Sequence, residues 1–509
     1  MKKTLFAILA IITTNLFSQP NIVWETNLGG SDYDRAQSIL QTADGGYIIA
    51  GVSRSIDGDV GGNNGQRDYW IVKLNLSGTL IWETNLGGSN DDWAYSIQQT
   101  IDGGYIVAGE SNSNSGDVGG NNGGSDYWIV KLDASGSLIW ENNLGGSDND
   151  LAYSIQQTTD GGYIVTGKSN SNDGDVGENN GGYDYWIVKL DASGTLIWET
   201  SLGGSDNDLA NSIQQTTDGG YIIAGWSDSI NGDVGGNNGG FDYWIVKLDA
   251  SGTLVWETNL GGSNDDFAFS IQQTIDGGYI VTGVSNSNNG NVGGNNGGSD
   301  FWTVKLDASG TLVWETNLGG SYFDDAHSIQ QTSDYGYIVT GNTFSNDGDV
   351  GGNNGSFDYW IVKLDANGIL VWETNLGGSD GDWPTSIQQT SDGGYIVAGG
   401  STSNDGDIGN NHGGYDYWIV KLDSDLSVGD YIIDNNIILY PNPAANTFTI
   451  ANLSETISKV EILDLQGKVI PVKFKTHENT VDISNLQPAM YIVKIYAATT
   501  IYTQQIIKK

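Results

Sequence analysis

The chemistry open to this 509-residue chain rests on carboxylates and aromatic rings, because it has no cysteine and three histidines in unrelated contexts (His327, His412, His477). No thiolate nucleophile, disulfide framework or Cys-based zinc site can form. A His-based metal site or triad lacks material, and neither G-x-S-x-G nor H-E-x-x-H occurs. Gly162 to Ser169 (G-Y-I-V-T-G-K-S) matches the letters of a phosphate-binding loop. There, however, Y-I-V-T reads as a strand, and such a loop needs strand, glycine turn and helix N-terminus in succession. Paired carboxylates such as Asp206 and Asp208 recur from copy to copy, whereas acid and base roles need different environments. The glycine-rich loops offer more. Asp59, Asp117, Asp173, Asp175, Asp233, Asp349 and Asp407 lie in Asn/Asp/Gly segments whose oxygens suit Ca²⁺. Their spacing departs from D-x-[DN]-x-[DN]-G, and Asn291 replaces the acid in one copy. Asx-turns that solvate the loops are the competing reading.

A second set of candidates lies where the copies disagree. Directly after one repeated Asp come Arg35, Trp93, Leu151, Leu209, Phe267, Asp325 and Trp383; two residues on come Gln37, Tyr95, Tyr153, Asn211, Phe269, His327 and Thr385. Trp93, Trp226 and Trp383 are the three tryptophans outside the repeated columns. Trp93, Tyr95, Trp226, Phe267, Phe269 and Trp383 are therefore the candidate ligand-binding residues, able to stack on sugars or apolar ligands. Drift with ordinary packing is the alternative.

The frame that positions these residues is a 58-residue period. Trp24, Trp82, Trp140, Trp198, Trp256, Trp314 and Trp372 open W-E-x-x-L-G-G-S, and Asp68, Asp126, Asp184, Asp242, Asp300, Asp358 and Asp416 open D-[YF]-W-x-V-K-L. A fixed long period means stacked supersecondary units. In residues 82–139 the pattern predicts strands over 96–100, 105–109 and 127–132, with a fourth over 137–144. The Asp102-Gly103-Gly104 hairpin and the 111–125 polar loop separate the first three. The W-E strand comes first in the array and is missing after Lys421 to Asp423. The front strand fills that gap, which predicts an all-β ring over residues 20–423, a seven-bladed β-propeller. An open solenoid would leave two bare edges. The fourteen repeated tryptophans are expected between blades, with Lys73 to Lys421 and Glu25 to Glu373 paired across strands.

Composition supports this layout: 75 glycines and six prolines with 38% hydrophobic residues read as short strands and tight turns. Residues 1–18 read as a secretory signal, with Lys2 and Lys3 before an apolar run too short to span a bilayer. Seven acids and seven lysines from Asp430 onward cancel, so the net charge of −42 falls on the earlier residues. Such a surface repels nucleic acid and anionic lipid.

The repeats resemble secreted bacterial propeller repeats of the G-S-x-x-D-x-A … D-G-G-Y-I-V-A-G … K-L-D-A-S-G type, departing at Pro384 and Tyr335. Beyond a linker at 424–433, residues 434–509 carry Tyr440-Pro-Asn-Pro443, V-E-I-L-D-L-Q-G-K-V (460–469) and D-I-S-N-L-Q-P-A-M-Y-I-V-K-I (482–495). This tail resembles the C-terminal sorting domains of type IX secretion substrates in Bacteroidetes. Its alternating Val460, Ile462, Val493 and Ile495 indicate a small β-sandwich. The resemblance implies recognition by the outer-membrane translocon, then release or surface attachment. The expected protein is an exported, non-enzymatic binding scaffold, without a transmembrane segment, for an extracellular glycan or protein ligand. A polysaccharide hydrolase or lyase and a structural adhesin without a pocket are the alternatives.

Overall fold

Every repeat folds into a four-stranded antiparallel sheet. The computed structural model describes residues 19–424, 438–451, 457–463, 469–475, 479–496 and 501–509. The expected signal at 1–18 and most of the linker lie outside the described residues. In the second repeat β6 (Asp92–Gln99), β7 (Tyr105–Ser111), β8 (Asp126–Leu132) and β9 (Leu138–Leu144) pair in sequence order. The first strand begins four residues before the expected Ser96. Its pairing survives a bulge between Ala94 and Ser96, an interruption that masks the period-2 alternation a strand otherwise displays. The other repeats form five such sheets, and the seventh sheet is completed from the front of the chain. There β1 (Ile22–Leu28) pairs with β28 (Asp416–Leu422), Glu25 opposite Val420 and Leu28 opposite Tyr417. First strands of successive blades contact one another around the ring, including β2 (Asp34–Gln41) with β26 (Asp382–Gln389). The array is thus a closed seven-bladed propeller with first strands innermost and W-E strands outermost.

The repeated residues stitch one blade to the next. The D-[YF]-W tryptophans such as Trp70 and Trp128 are fully buried, each against a tyrosine or phenylalanine of the preceding blade. Tyr69 donates to the Trp128 carbonyl across 2.8 Å, and Tyr417 closes the circle on Trp70 at 2.9 Å. The glycine of Y-I-V-A-G is required at this point: a Cβ on Gly51 would sit 2.6 Å from Tyr417 Oη and overlap the Arg35 carbonyl. Glutamines of Q-Q-T add a second belt, with Gln214 Oε1 accepting from Gln273 N at 2.6 Å. The outer tryptophans also bridge blades, Trp82 packing on Tyr105.

The expected Lys–Glu pair does not form. Lys131 faces Trp140 in register while Glu141 faces Val130, so the two side chains leave opposite faces of the sheet. Lys131 Nζ instead reaches Asp102 of the D-G-G turn at 3.1 Å, and Glu141 accepts from Trp128 Nε1 at 3.0 Å. Tyr335, where other copies have Gly, takes a positive φ of 69° in that turn. The tail is a separate unit, described from Ile438 onward. Its two four-stranded sheets enclose Phe448, Ile462, Val481, Val493 and Ile506.

Candidate functional site

The long-loop face carries the chain's individuality. Residues that vary among blades occupy the start of the first strand, the end of the second and the residue before the third. Cross-strand register and packing place them side by side: Trp93 faces Glu110, Leu209 faces Trp226, and Phe241 lies 4.6 Å from Trp226. All seven innermost strands carry a bulge at one place. The extra residue (Gln37, Tyr95, Tyr153, Asn211, Phe269, His327 or Thr385) is the second variable column. A bulge leaves its extra residue unpaired and re-aims the side chain. Tyr95 meets Tyr153 at 5.1 Å and Phe269 meets His327 at 5.5 Å, across neighbouring blades. Toward the D-G-G face the channel is a cavity of about 280 Å³ lined by isoleucines and glutamines such as Ile97 and Gln98.

The six aromatic candidates all reach this face, in separate groups and half-buried. Trp226 sets its edge against Phe241 and Phe267 at 4.6 and 5.4 Å. Trp93 stacks with Tyr95 and touches Tyr33, while Trp383 lies between Phe357 and Tyr415 at 5.2 and 5.3 Å. Tyr33 and Tyr415, 5.2 Å apart, join the last two groups into an arc spanning blades six, seven, one and two. Sequence reasoning missed the column before D-[YF]-W, which supplies Arg67, Tyr183, Phe241, Phe357 and Tyr415. The signal was present, since that column varies as widely as the others.

Charged groups are set among the rings. Tyr95 Oη donates to Glu110 Oε1 at 2.9 Å, and burial raises the Glu110 carboxyl above its ordinary range. Lys168, lowered by burial, lies 4.5 Å from the centre of the Tyr183 ring. Arg67 lies over Trp93 at 5.0 Å and pairs with Asp91 at 3.4 Å. His327 Nε2 is 2.8 Å from Asn342 Oδ1, and burial lowers its pKa.

The candidate calcium ligands are engaged by backbone. Asp59, Asp117, Asp175, Asp233, Asp349 and Asp407 accept from the first glycine of L-G-G at 3.1 to 3.3 Å, and Asp173 accepts from Ser147 N at 2.7 Å. Asn291 does the same for Gly261 at 3.3 Å, so this contact calls for an acceptor oxygen, charged or not. Among the described residues no group of three or more His, Cys, Asp or Glu is placed to hold a metal ion.

A different acidic feature repeats at every blade junction. A Cβ on Gly145 would lie 2.6 Å from both Asp126 Oδ1 and Asp150 Oδ2, and both aspartates are fully buried. Asp150 Oδ2 accepts from Gly146 N at 2.7 Å and Ser171 Oγ at 2.9 Å, and Asp126 Oδ2 from Asn122 N at 2.5 Å. Asp126 Oδ1 has no partner, and neither has its equivalent in the other six blades. Burial above all, then Asp150 and Asp175, pushes the Asp126 carboxyl up to about 7.

Residues 438–509 match the secretion system C-terminal sorting domain family. The tail is a type IX sorting domain. It marks the chain for export across the outer membrane through the type IX machinery, and among the described residues no helix is long and apolar enough to cross a membrane. The chain is also 25% identical to the regulatory protein FlaEY of Caulobacter vibrioides in an alignment 405 residues long that covers 69% of this chain and 41% of that protein. Among solved structures, the Pan2 WD40 domain of Neurospora crassa aligns with a TM-score of 0.42 at 11% identity, covering 78% of this chain and 95% of that one. Sqt1 of Chaetomium thermophilum aligns with a TM-score of 0.39 at 11% identity, covering 80% and 99%.

Proposed function

We propose that the ring is a non-enzymatic binding scaffold, secreted or held at the cell surface after type IX export, whose long-loop face binds extracellular glycan. One observation carries this reading: the blades repeat nearly everywhere, yet the columns in which they differ converge on one face as an aromatic arc. Flat rings beside Asn, Asp and Glu suit the faces and hydroxyls of sugars. A glycan array probed with exported protein, beside a Trp93→Ala/Trp383→Ala variant, tests it. Binding by the parent and loss in the variant support it, and silence in both leaves a structural adhesin.

A second reading has its own observation. Glu110, with its raised pKa and its hydrogen bond from Tyr95, is a carboxyl without counterpart in other blades, the environment that suits a general acid. Oligosaccharide turnover abolished by Glu110→Gln would favour a polysaccharide hydrolase or lyase.

A further inference from the structure

The ring is strongly acidic, and its cations fall into two sets. Seven are the repeated lysines, each buried and paired with the Asp of a D-G-G turn. The other four, Arg35, Arg54, Arg67 and Lys168, lie in the first three blades on the long-loop face. Three of these have partners: Arg54 pairs with Asp32 at 3.8 Å, Arg67 with Asp91, and Lys168 lies over Tyr183. Arg35 differs. Among the described residues no carboxylate pairs with its guanidinium, whereas the buried Nε without an acceptor is a feature it shares with Arg67.

The fold makes room for this unpaired cation. Every other blade has a side chain at the position of Gly400. A Cβ there would lie 3.2 Å from Arg35 Cγ and 3.1 Å from Tyr415 Cδ1. The glycine lets the Arg35 stem cross from blade one toward blade seven, beside the arc formed by Tyr33, Tyr415 and Trp383. Its charge is felt at Tyr95, His327, Tyr359 and Tyr415, groups in blades two, six and seven. It therefore acts on the ring interior around the channel mouth.

We infer that Arg35 receives the carboxylate of an acidic sugar, a uronic-acid unit of a glycan whose ring face lies on the Tyr33–Tyr415–Trp383 arc. This rests on the glycan reading above. A guanidinium presents parallel N–H donors that match a planar carboxylate, and a bidentate pair gives orientation as well as energy. Long-range repulsion from the acidic ring is screened beyond about 8 Å at physiological salt, so the local pair decides selectivity.

The test is calorimetric titration of the exported protein at physiological salt with oligogalacturonate and with its methyl ester, which keeps the sugar and removes the charge. The acid should bind about tenfold or more tightly than the ester. Arg35→Gln should erase that preference by bringing the acid's affinity down to the ester's, and Arg35→Lys should restore part of it. Melting curves of both variants control for folding. Equal binding of acid and ester, or a preference surviving in Arg35→Gln, overturns the inference and leaves glycan binding standing. Binding of a sulfated oligomer in place of the uronate also overturns the assigned class. If neither probe nor any neutral glycan binds, both readings fall together.

Discussion

Replacing Asp126 with Asn should flatten the pH dependence of ring stability at one blade junction. The carboxyl is fully buried, has an unpartnered oxygen, and faces Asp150 and Asp175. Its pKa stands at about 7 against an ordinary 3.8. The folded protein thus binds this proton more tightly than the unfolded chain. Its contribution is fully present below about pH 4 and is lost as pH rises through about 7. At 1.36 kcal/mol for each pKa unit, the loss between pH 5 and pH 8 comes to about 2 to 3 kcal/mol for this site. The equivalent Asp68, Asp184, Asp242, Asp300 and Asp358 are also raised to about 7, and Asp416, beside His412, to about 6. Urea denaturation of the full chain should therefore show the parent losing stability from pH 5 to pH 8. Asp126→Asn should lose about 2 to 3 kcal/mol less over that interval. Asp150→Ala should weaken the ring at both values, because it leaves Gly146 N and Ser171 Oγ without the oxygen that accepts from them. A parent whose stability is flat or rises over this range would refute the argument from the raised Asp126 pKa. A slope abolished by millimolar calcium would reassign the neutralising charge from a proton to a metal ion.

Other outcomes follow from the same geometry. Deleting residues 20–28 strips the seventh sheet of β1 and bares β28, so melting of the whole ring should shift down cooperatively; an unchanged curve would rule out closure by this strand. Phe301→Tyr should stabilise the ring by about 1 kcal/mol in denaturant titrations. Phe301 occupies the one position without a hydroxyl in the belt of tyrosines that donate to tryptophan carbonyls, and Gly341 keeps the space for it. Removing residues 438–509 should leave the protein inside the outer membrane, as fractionation and immunoblotting would show; normal export without the tail would count against the sorting role.

Much of this protein was written in one dimension. The 58-residue period set the blade, and the offset between the opening W-E strand and the closing K-L-D assigned β1 to the last sheet. Both are counting arguments, and hydrogen-bond completion leaves few ways to satisfy them. The columns in which copies differ also named Trp93, Trp226 and Trp383 before any fold was considered. What the chain could not display was pairing that depends on side-chain direction. Lys131 and Glu141 read as an ion pair by composition, but register sends them to opposite faces, and the lysine finds Asp102 in a turn. The bulge after Ala94 hid the start of the innermost strand. The Asp126–Asp150 pair joins residues on different sheets, which only the packing of blade two on blade three brings together around Gly145. The same holds for Arg35 beside Gly400, 365 positions apart in the chain. Local pattern determines which strand forms, whereas contacts between blades depend on the angle and distance at which sheets pack, and those are properties of the closed ring.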